Sequence, residues 1–143
     1  MNSQIQKFSP EFDYLINVLA SLNPISIILY GSYGRGEGAI YSNNKTDKLF
    51  NDIDVLLIVR KKIDILRINN IKDKLLKKID VEWIDITQKT QFELKKSNAS
   101  VFNYDLKCHS TVLYGDLNIL NLMPTIKRQE IEYNEIKILF FSR

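Results

Sequence analysis

The sequence predicts an α/β protein, α+β in stricter terms: a small mixed sheet of three to five strands flanked by helices. Three observations carry this expectation. A near-continuous apolar run, Ile25 to Tyr30, follows a segment with apolar residues at helical spacing. A second apolar run, Ile53 to Val59, leads into another helical pattern formed by Ile68, Ile71, Leu75 and Ile79. A third run, Ile79 to Ile86, alternates apolar and acidic residues as a half-buried strand does. Strands interleaved with helices in this way form a sheet layered against helices.

Taken in order, Ser9-Pro10 is a helix start, with Ser9 as cap and Pro10 at the first helical position. Phe12, Leu15, Ile16 and Leu19 carry that helix to about Ser21, and Asn23-Pro24 stops it. The first strand then runs to Tyr30 and is expected at the centre of its sheet. Residues 39–50, with Ser42, Asn43, Asn44 and Asp47, have loop composition and read as a flap beside the site or a surface insertion. After the second strand comes a helix over about 64–78, then the third strand over 79–86, with Asp80 and Glu82 on one face and Val81, Trp83 and Asp85 on the other. Residues 88–96 and 98–107 read as short helices, 111–116 as a strand and turn, and Pro124 as the opening of a last helix with Tyr133, Ile136 and Phe140 on one stripe. The apolar end, Ile138 to Phe141, needs burial on this domain or on a partner.

At 143 residues the chain is one domain with room for one core. It divides into an N-terminal helix (1–24), a central core (25–115) and a C-terminal helical segment (116–143). With 45% hydrophobic and 26% charged residues it is an ordinary soluble composition. A net charge of +3 admits an anionic substrate such as a nucleoside triphosphate. It lacks the clustered basic face that nucleic acid requires, and the basic residues from Lys72 to Lys78 read as the solvated side of a helix. One cysteine, Cys108, excludes an intrachain disulfide framework and fits a reducing compartment. The lone histidine, His109, has no metal-ligand spacing to it. Without a leader pattern or an apolar run long enough for a bilayer, the expected location is cytoplasmic, with no membrane partner.

Function concentrates between Ile25 and Val59. Four of the chain's five glycines fall in Gly31-Ser32-Tyr33-Gly34-Arg35-Gly36-Glu37-Gly38, directly after a strand, where backbone N–H groups can approach a phosphate closely. Asp52 and Asp54, two residues apart at the mouth of the next strand, point to one face and can share a hard cation such as Mg2+. Glu37 is expected on the surface or paired with Arg35.

Gly31-Ser32-x-x-x-Gly36 followed by Asp52-Ile53-Asp54 on a strand resembles the signature of the DNA polymerase β-like nucleotidyltransferases, in particular their small stand-alone members. The fuller Gly-Ser-Tyr-Gly-Arg-Gly-Glu-Gly string is similar to a bacterial subgroup associated with surface-polysaccharide functions, and Tyr104, Asp105 and Lys107 resemble a segment of that subgroup, which leaves two expectations for them, the acceptor side or a helix surface.

The resemblance implies the nucleotidyltransferase fold and a Mg2+-dependent transfer of a nucleoside monophosphate from a nucleoside triphosphate to a hydroxyl of a small molecule, sugar or protein. Two Mg2+ ions would offset charge on the entering and leaving oxygens, held by three carboxylates. Asp52 and Asp54 supply two. The third is Asp80 or Glu82, whereas Asp85 falls on the opposite face of the expected strand. Gly31, Ser32 and Gly36 would cradle phosphates, and Arg35 would pair with the triphosphate or with an acceptor carboxylate. Small relatives of this family pair with an all-helical partner in toxin–antitoxin systems. A helical protein partner or a homo-oligomer is therefore a second expectation, and a nucleotide-binding domain without turnover a third.

Overall fold

The computed structural model describes residues 2–38, 40–42, 47–49 and 51–141, and for residues 40–42, 47, 48, 134 and 136–141 the backbone alone. Helix α1 (Ser3–Lys7) begins where the Asn2 side chain accepts hydrogen bonds from the Gln4 and Ile5 N–H groups. Sequence periodicity did not reveal this helix, because it buries no residue. Helix α2 (Ser9–Ala20) carries Pro10 in its first turn and buries Phe12, Leu15, Val18 and Leu19; its cap position is Phe8, not Ser9. Strand β1 (Ser26–Tyr30) runs into a single helical turn, α3 (Gly31–Gly34). Within the 39–50 stretch, β2 (Ile40–Ser42) and β3 (Asp47–Leu49) pair antiparallel.

Strand β4 (Ile53–Val59) and helix α4 (Ile65–Lys78) lie where expected, and the Asp64 carboxylate caps α4 by accepting from the Leu66 N–H. The third strand, β5 (Ile84–Thr90), begins later than the alternation from Ile79 suggests. The reason is that residues 79–83 are consumed in leaving α4. The Ile79 N–H still donates to the Leu75 carbonyl at 2.8 Å, Ile79 is buried, and the Val81 N–H turns back to Ile79 at 2.9 Å. The strand then continues through Gln88 to Thr90, a polar stretch expected to open a helix. Helix α5 (Gln91–Lys95) starts only where Thr90 and Glu93 form a reciprocal capping box.

Helix α6 (Val101–His109), strand β6 (Thr111–Gly115), a 3-10 turn (Ile119–Leu122) and helix α7 (Arg128–Phe141) complete the chain. Pro124 precedes α7 rather than opening it. Of the expected α7 stripe, Tyr133 is exposed. The side chains of Ile136, Phe140 and Phe141 fall outside the described residues.

The sheet is mixed, in the order β5-β4-β1-β6, with β4 and β5 parallel and β1 antiparallel to both its neighbours. One face carries Ile27, Leu29, Val55 and Leu57 against Phe12, Leu15 and Leu19 of α2 and Ile68 and Leu75 of α4. The other carries Ile28, Leu56 and Ile58 against Leu94, Leu106, Ile119 and Met123. Each fully buried Ile or Leu contributes about 1.5–3 kcal/mol, against about 0–1 kcal/mol for an exposed ion pair. The sheet and its two cores therefore fix the backbone positions from which the acidic residues project. Among the described residues no helix is long and apolar enough to cross a membrane.

Candidate active site

Strand pairing assembles the acidic centre. Tyr30 of β1 lies level with Asp54 of β4, and Asp54 lies level with Asp85 of β5. All three occupy the sheet face of Ile28, Leu56 and Ile58, because side chains alternate along each strand. The Asp54 and Asp85 carboxyl groups lie close enough to influence each other directly. Asp54 is pushed up to about 6, first by its burial, then by the charges of Asp85 and Asp52. Asp85 is further oriented by the Trp83 indole N–H, which donates to its Oδ1 at 3.1 Å. The Lys72 ammonium lies over that indole, 4.8 Å from the ring centroid.

The later start of β5 changes which acid stands level with Asp54. Asp80 and Glu82, read as the third acid, both lie before the strand and outside its register with β4, and both are exposed. Asp85, expected on the far face, is the acid beside Asp54. Asp52 is exposed immediately before β4, and its charge reaches Asp54. Among the described residues no three metal-ligating side chains form a closed cluster.

The glycine turn is built against this pair. Gly31 adopts φ +66°, and a Cβ there would fall 2.4 Å from Asp54 Oδ2. Only glycine allows both the backbone conformation and the approach of α3 to the carboxylate. Ser32 is the second residue of α3, a turn with no side-chain cap on its first N–H groups. Tyr33 is fully buried, stands edge-on to Phe12, and its hydroxyl accepts the Asn51 N–H at 3.0 Å. That bond ties the turn to the residue preceding Asp52. Replacing Tyr33 with phenylalanine keeps the ring packing and loses the tie. A loss of about 0.5–1.5 kcal/mol in urea unfolding is expected, and wild-type stability would show that the bond contributes nothing.

Arg35 and Gly36 sit beyond the turn. The Arg35 guanidinium donates to Asp105 Oδ2 at 2.9 Å and to Glu37 Oε2 at 3.2 Å, so the pairing of Glu37 with Arg35 is present and a triphosphate would have to compete with two carboxylates. The Gly36 N–H donates to the Tyr33 carbonyl at 3.1 Å, closing the turn. Residues from the N-terminus clamp the same loop: Asn2 donates to the Tyr33 carbonyl at 2.6 Å, and the Gln4 amide bonds both backbone groups of Gly38. Asp105 salt-bridges Arg35, while the Lys107 ammonium donates to the Met123 carbonyl at 2.7 Å. Tyr104 is exposed with its ring edge-on to His109.

Sequence reasoning missed Asp85, Trp83 and Tyr33. The signal for Asp85 was available in the continuation of the alternation through Thr87 and Lys89, which places residues 85, 87 and 89 on one face.

No protein-family model matches the chain, and no curated protein matches it in sequence. Among solved structures, spectinomycin adenyltransferase AAD(9) from Enterococcus faecialis, with ATP and spectinomycin, is similar over 91% of this chain and 65% of that one, at 14% identity and a TM-score of 0.61. A mutant of the MntA–HpeT toxin–antitoxin matches over 91% of this chain and 84% of that one, at 18% identity and a TM-score of 0.47. A toxin–antitoxin with AMP-PNP matches over 91% and 85%, at 19% identity and a TM-score of 0.46. The four-stranded mixed sheet with its flanking helices and the overlap with the adenyltransferase agree with the fold expected from the sequence: the chain has a nucleotidyltransferase-like fold.

Proposed function

We propose that the chain transfers a nucleoside monophosphate from a nucleoside triphosphate to a hydroxyl-bearing acceptor, with Asp52, Asp54 and Asp85 as the cation-binding carboxylates. The observation that carries this reading is the level placement of Asp54 and Asp85 on one sheet face, with the Gly31 backbone laid against Asp54. An all-carboxylate donor set suits a hard cation, and the space a Cβ would fill beside Asp54 is kept open by Gly31. Asp52 completes the set by rotating inward from its exposed position. Bound Mg2+, two ions by the family resemblance, supplies charge neutralisation for the entering and leaving oxygens.

The chain's own groups do the rest. Gly31 and the Ser32 N–H and hydroxyl hold the β- and γ-phosphates at the start of α3. Arg35 exchanges Asp105 and Glu37 for phosphate oxygens, and Gly36 closes the turn beneath them. The acceptor oxygen bonds to the α-phosphorus while the bridging bond to the β-phosphate breaks and pyrophosphate leaves.

Calorimetric titration of ATP, CTP, GTP and UTP, with and without Mg2+, tests the reading on wild type, Asp85→Asn and Asp80→Asn. Asp85→Asn is expected to weaken Mg2+-dependent binding on the order of 100-fold, whereas Asp80→Asn stays near wild type. Trp83 is the only tryptophan and bonds Asp85, so its emission should change with Mg2+ in wild type and Asp80→Asn alone. The opposite pattern would return the third position to Asp80, and nucleotide binding without pyrophosphate release would indicate a binding domain without turnover.

A second reading, an interaction module for a helical protein partner or a second copy, is favoured by the exposed side chains of Val101, Phe102 and Tyr104 on α6 and Tyr133 on α7. Light scattering over a concentration series tests the second-copy form; a monomer throughout removes it.

A further inference from the structure

The sheet face that carries Asp54 and Asp85 continues along β5 into a differently charged region. Asp85, Thr87 and Lys89 alternate on that face, level with Asp54, Leu56 and Ile58. At about 3.3 Å per residue the Lys89 Cα lies roughly 13 Å from that of Asp85, with Thr87 midway. The Thr87 hydroxyl donates to the Val55 carbonyl at 3.4 Å and lies near the Tyr30 hydroxyl beside the acid pair. The Phe102 ring, 46% exposed, stands edge-on to Tyr30 with centroids 5.4 Å apart. The Lys89 ammonium lies 5.6 Å from the Phe102 centroid.

Lys89 is half-buried, and its neighbouring acid is already engaged. Glu93 pairs with Lys62 at 2.8 Å and accepts the Thr90 N–H at 3.1 Å in the capping box. Among the described residues Glu93 is the carboxylate whose charge reaches Lys89, and it is paired with Lys62, while the other end of β5 carries Asp85 beside Asp54. Burial, the largest influence, holds the Lys89 ammonium below its usual range, as expected of a cation lacking a full counter-charge.

We propose that Thr87, Lys89 and Phe102 form an acceptor subsite beside the acid pair, selective for an acceptor that carries an oxyanion, with the anion on Lys89 and the adjoining part of the molecule against Phe102. This rests on reading Asp54 and Asp85 as the reacting end. The acceptor's hydroxyl then faces the carboxylates, while its anionic group lies toward Lys89, where it is drawn by charge and a partly desolvated ammonium. Thr87, between the two ends, offers a hydroxyl to the middle of the molecule. A cationic acceptor is repelled by Lys62 and Lys89.

Phenyl phosphate, benzoate, benzyl alcohol and benzylamine are suitable probes, titrated by NMR against the full chain saturated with Mg2+ and AMP-PNP so that the phosphate-binding turn is occupied. The expected result is binding of one or both anions, weakened about tenfold or more in Lys89→Gln and in Phe102→Ala, and no comparable binding of the alcohol or amine. The two anions report whether the oxyanion is phosphate or carboxylate. Anion binding that is unchanged in Lys89→Gln, equal binding of all four probes, or no binding by either anion overturns the proposal. AMP-PNP affinity is measured in the same samples. If AMP-PNP fails to bind while phenyl phosphate or benzoate still binds in a Lys89-dependent manner, the nucleotidyl-transfer reading falls and the oxyanion site stands; normal AMP-PNP affinity with no Lys89 dependence gives the reverse.

Discussion

Asp54→Asn is expected to make the fold more stable at neutral pH while abolishing metal-dependent turnover. The carboxyl's ordinary value is 3.8, and in the fold it is raised to about 6. Between those values the folded chain keeps a proton that the unfolded chain has released, so the stabilisation from Asp54 is full below about 4 and is lost as pH rises through about 6. Above pH 7 the charge is a net liability. Asparagine removes it, and after allowance for partial exposure the gain is about 1 kcal/mol. Thermal unfolding in a chelating buffer should show wild type falling below the variant as pH rises from 4 to 7, with the two curves parallel above that. Turnover should drop on the order of 1,000-fold or more, since a charge-neutralising group worth several kcal/mol is withdrawn. A variant that is both less stable and still active at pH 7.5 would contradict the placement of Asp54 among the carboxylates.

The second large effect is expected at Gly31, where two costs coincide. At φ +66° an alanine is strained by about 1–2 kcal/mol. Its Cβ also meets Asp54 Oδ2 at 2.4 Å, so the carboxylate or the α3 backbone has to move. Gly36 separates the two costs. Its φ is +76°, yet the nearest atoms to an added Cβ are those of Asn2 at 3.7 Å. Gly36→Ala should therefore lose comparable stability in urea unfolding and keep Mg2+-dependent nucleotide binding, whereas Gly31→Ala should lose both. Equal nucleotide affinity in the two variants would mean that the close approach to Asp54 has no functional weight.

The parts of the molecule legible in the sequence are those whose signal is local. The apolar run of β4 and the periodicity of α4 needed no tertiary information, and both elements lie where the pattern places them. Asp52 and Asp54 could be read as neighbours because they lie two residues apart where β4 begins, and the charge of Asp52 does reach Asp54. Asp85 could not be read so directly. Its position depends on where the chain leaves α4, and Ile79 disguises that exit by looking like a strand residue while still bonded to the helix. The polar run from Thr87 to Thr90 hid the other end of the strand, since an edge strand can present polar residues that a central strand cannot. Tyr33 was unreadable for a different reason: its hydroxyl acts on Asn51, across a loop whose path no local pattern specifies.

The parallel pairing of β4 with β5 also has a kinetic consequence. Unlike the hairpin of β2 and β3, this pair cannot form until the intervening α4 crossover has been laid down, which makes it a contact of high loop-closure entropy and a candidate for late formation. The acid pair straddles that seam, so above pH 6 mutual repulsion opposes the docking of β5, and a cation bound there favours it. If docking follows the rate-limiting barrier, Mg2+ should leave the refolding limb of a chevron almost unchanged and slow the unfolding limb. The ion would then set how long the sheet's edge stays closed, a residence time rather than a speed of folding.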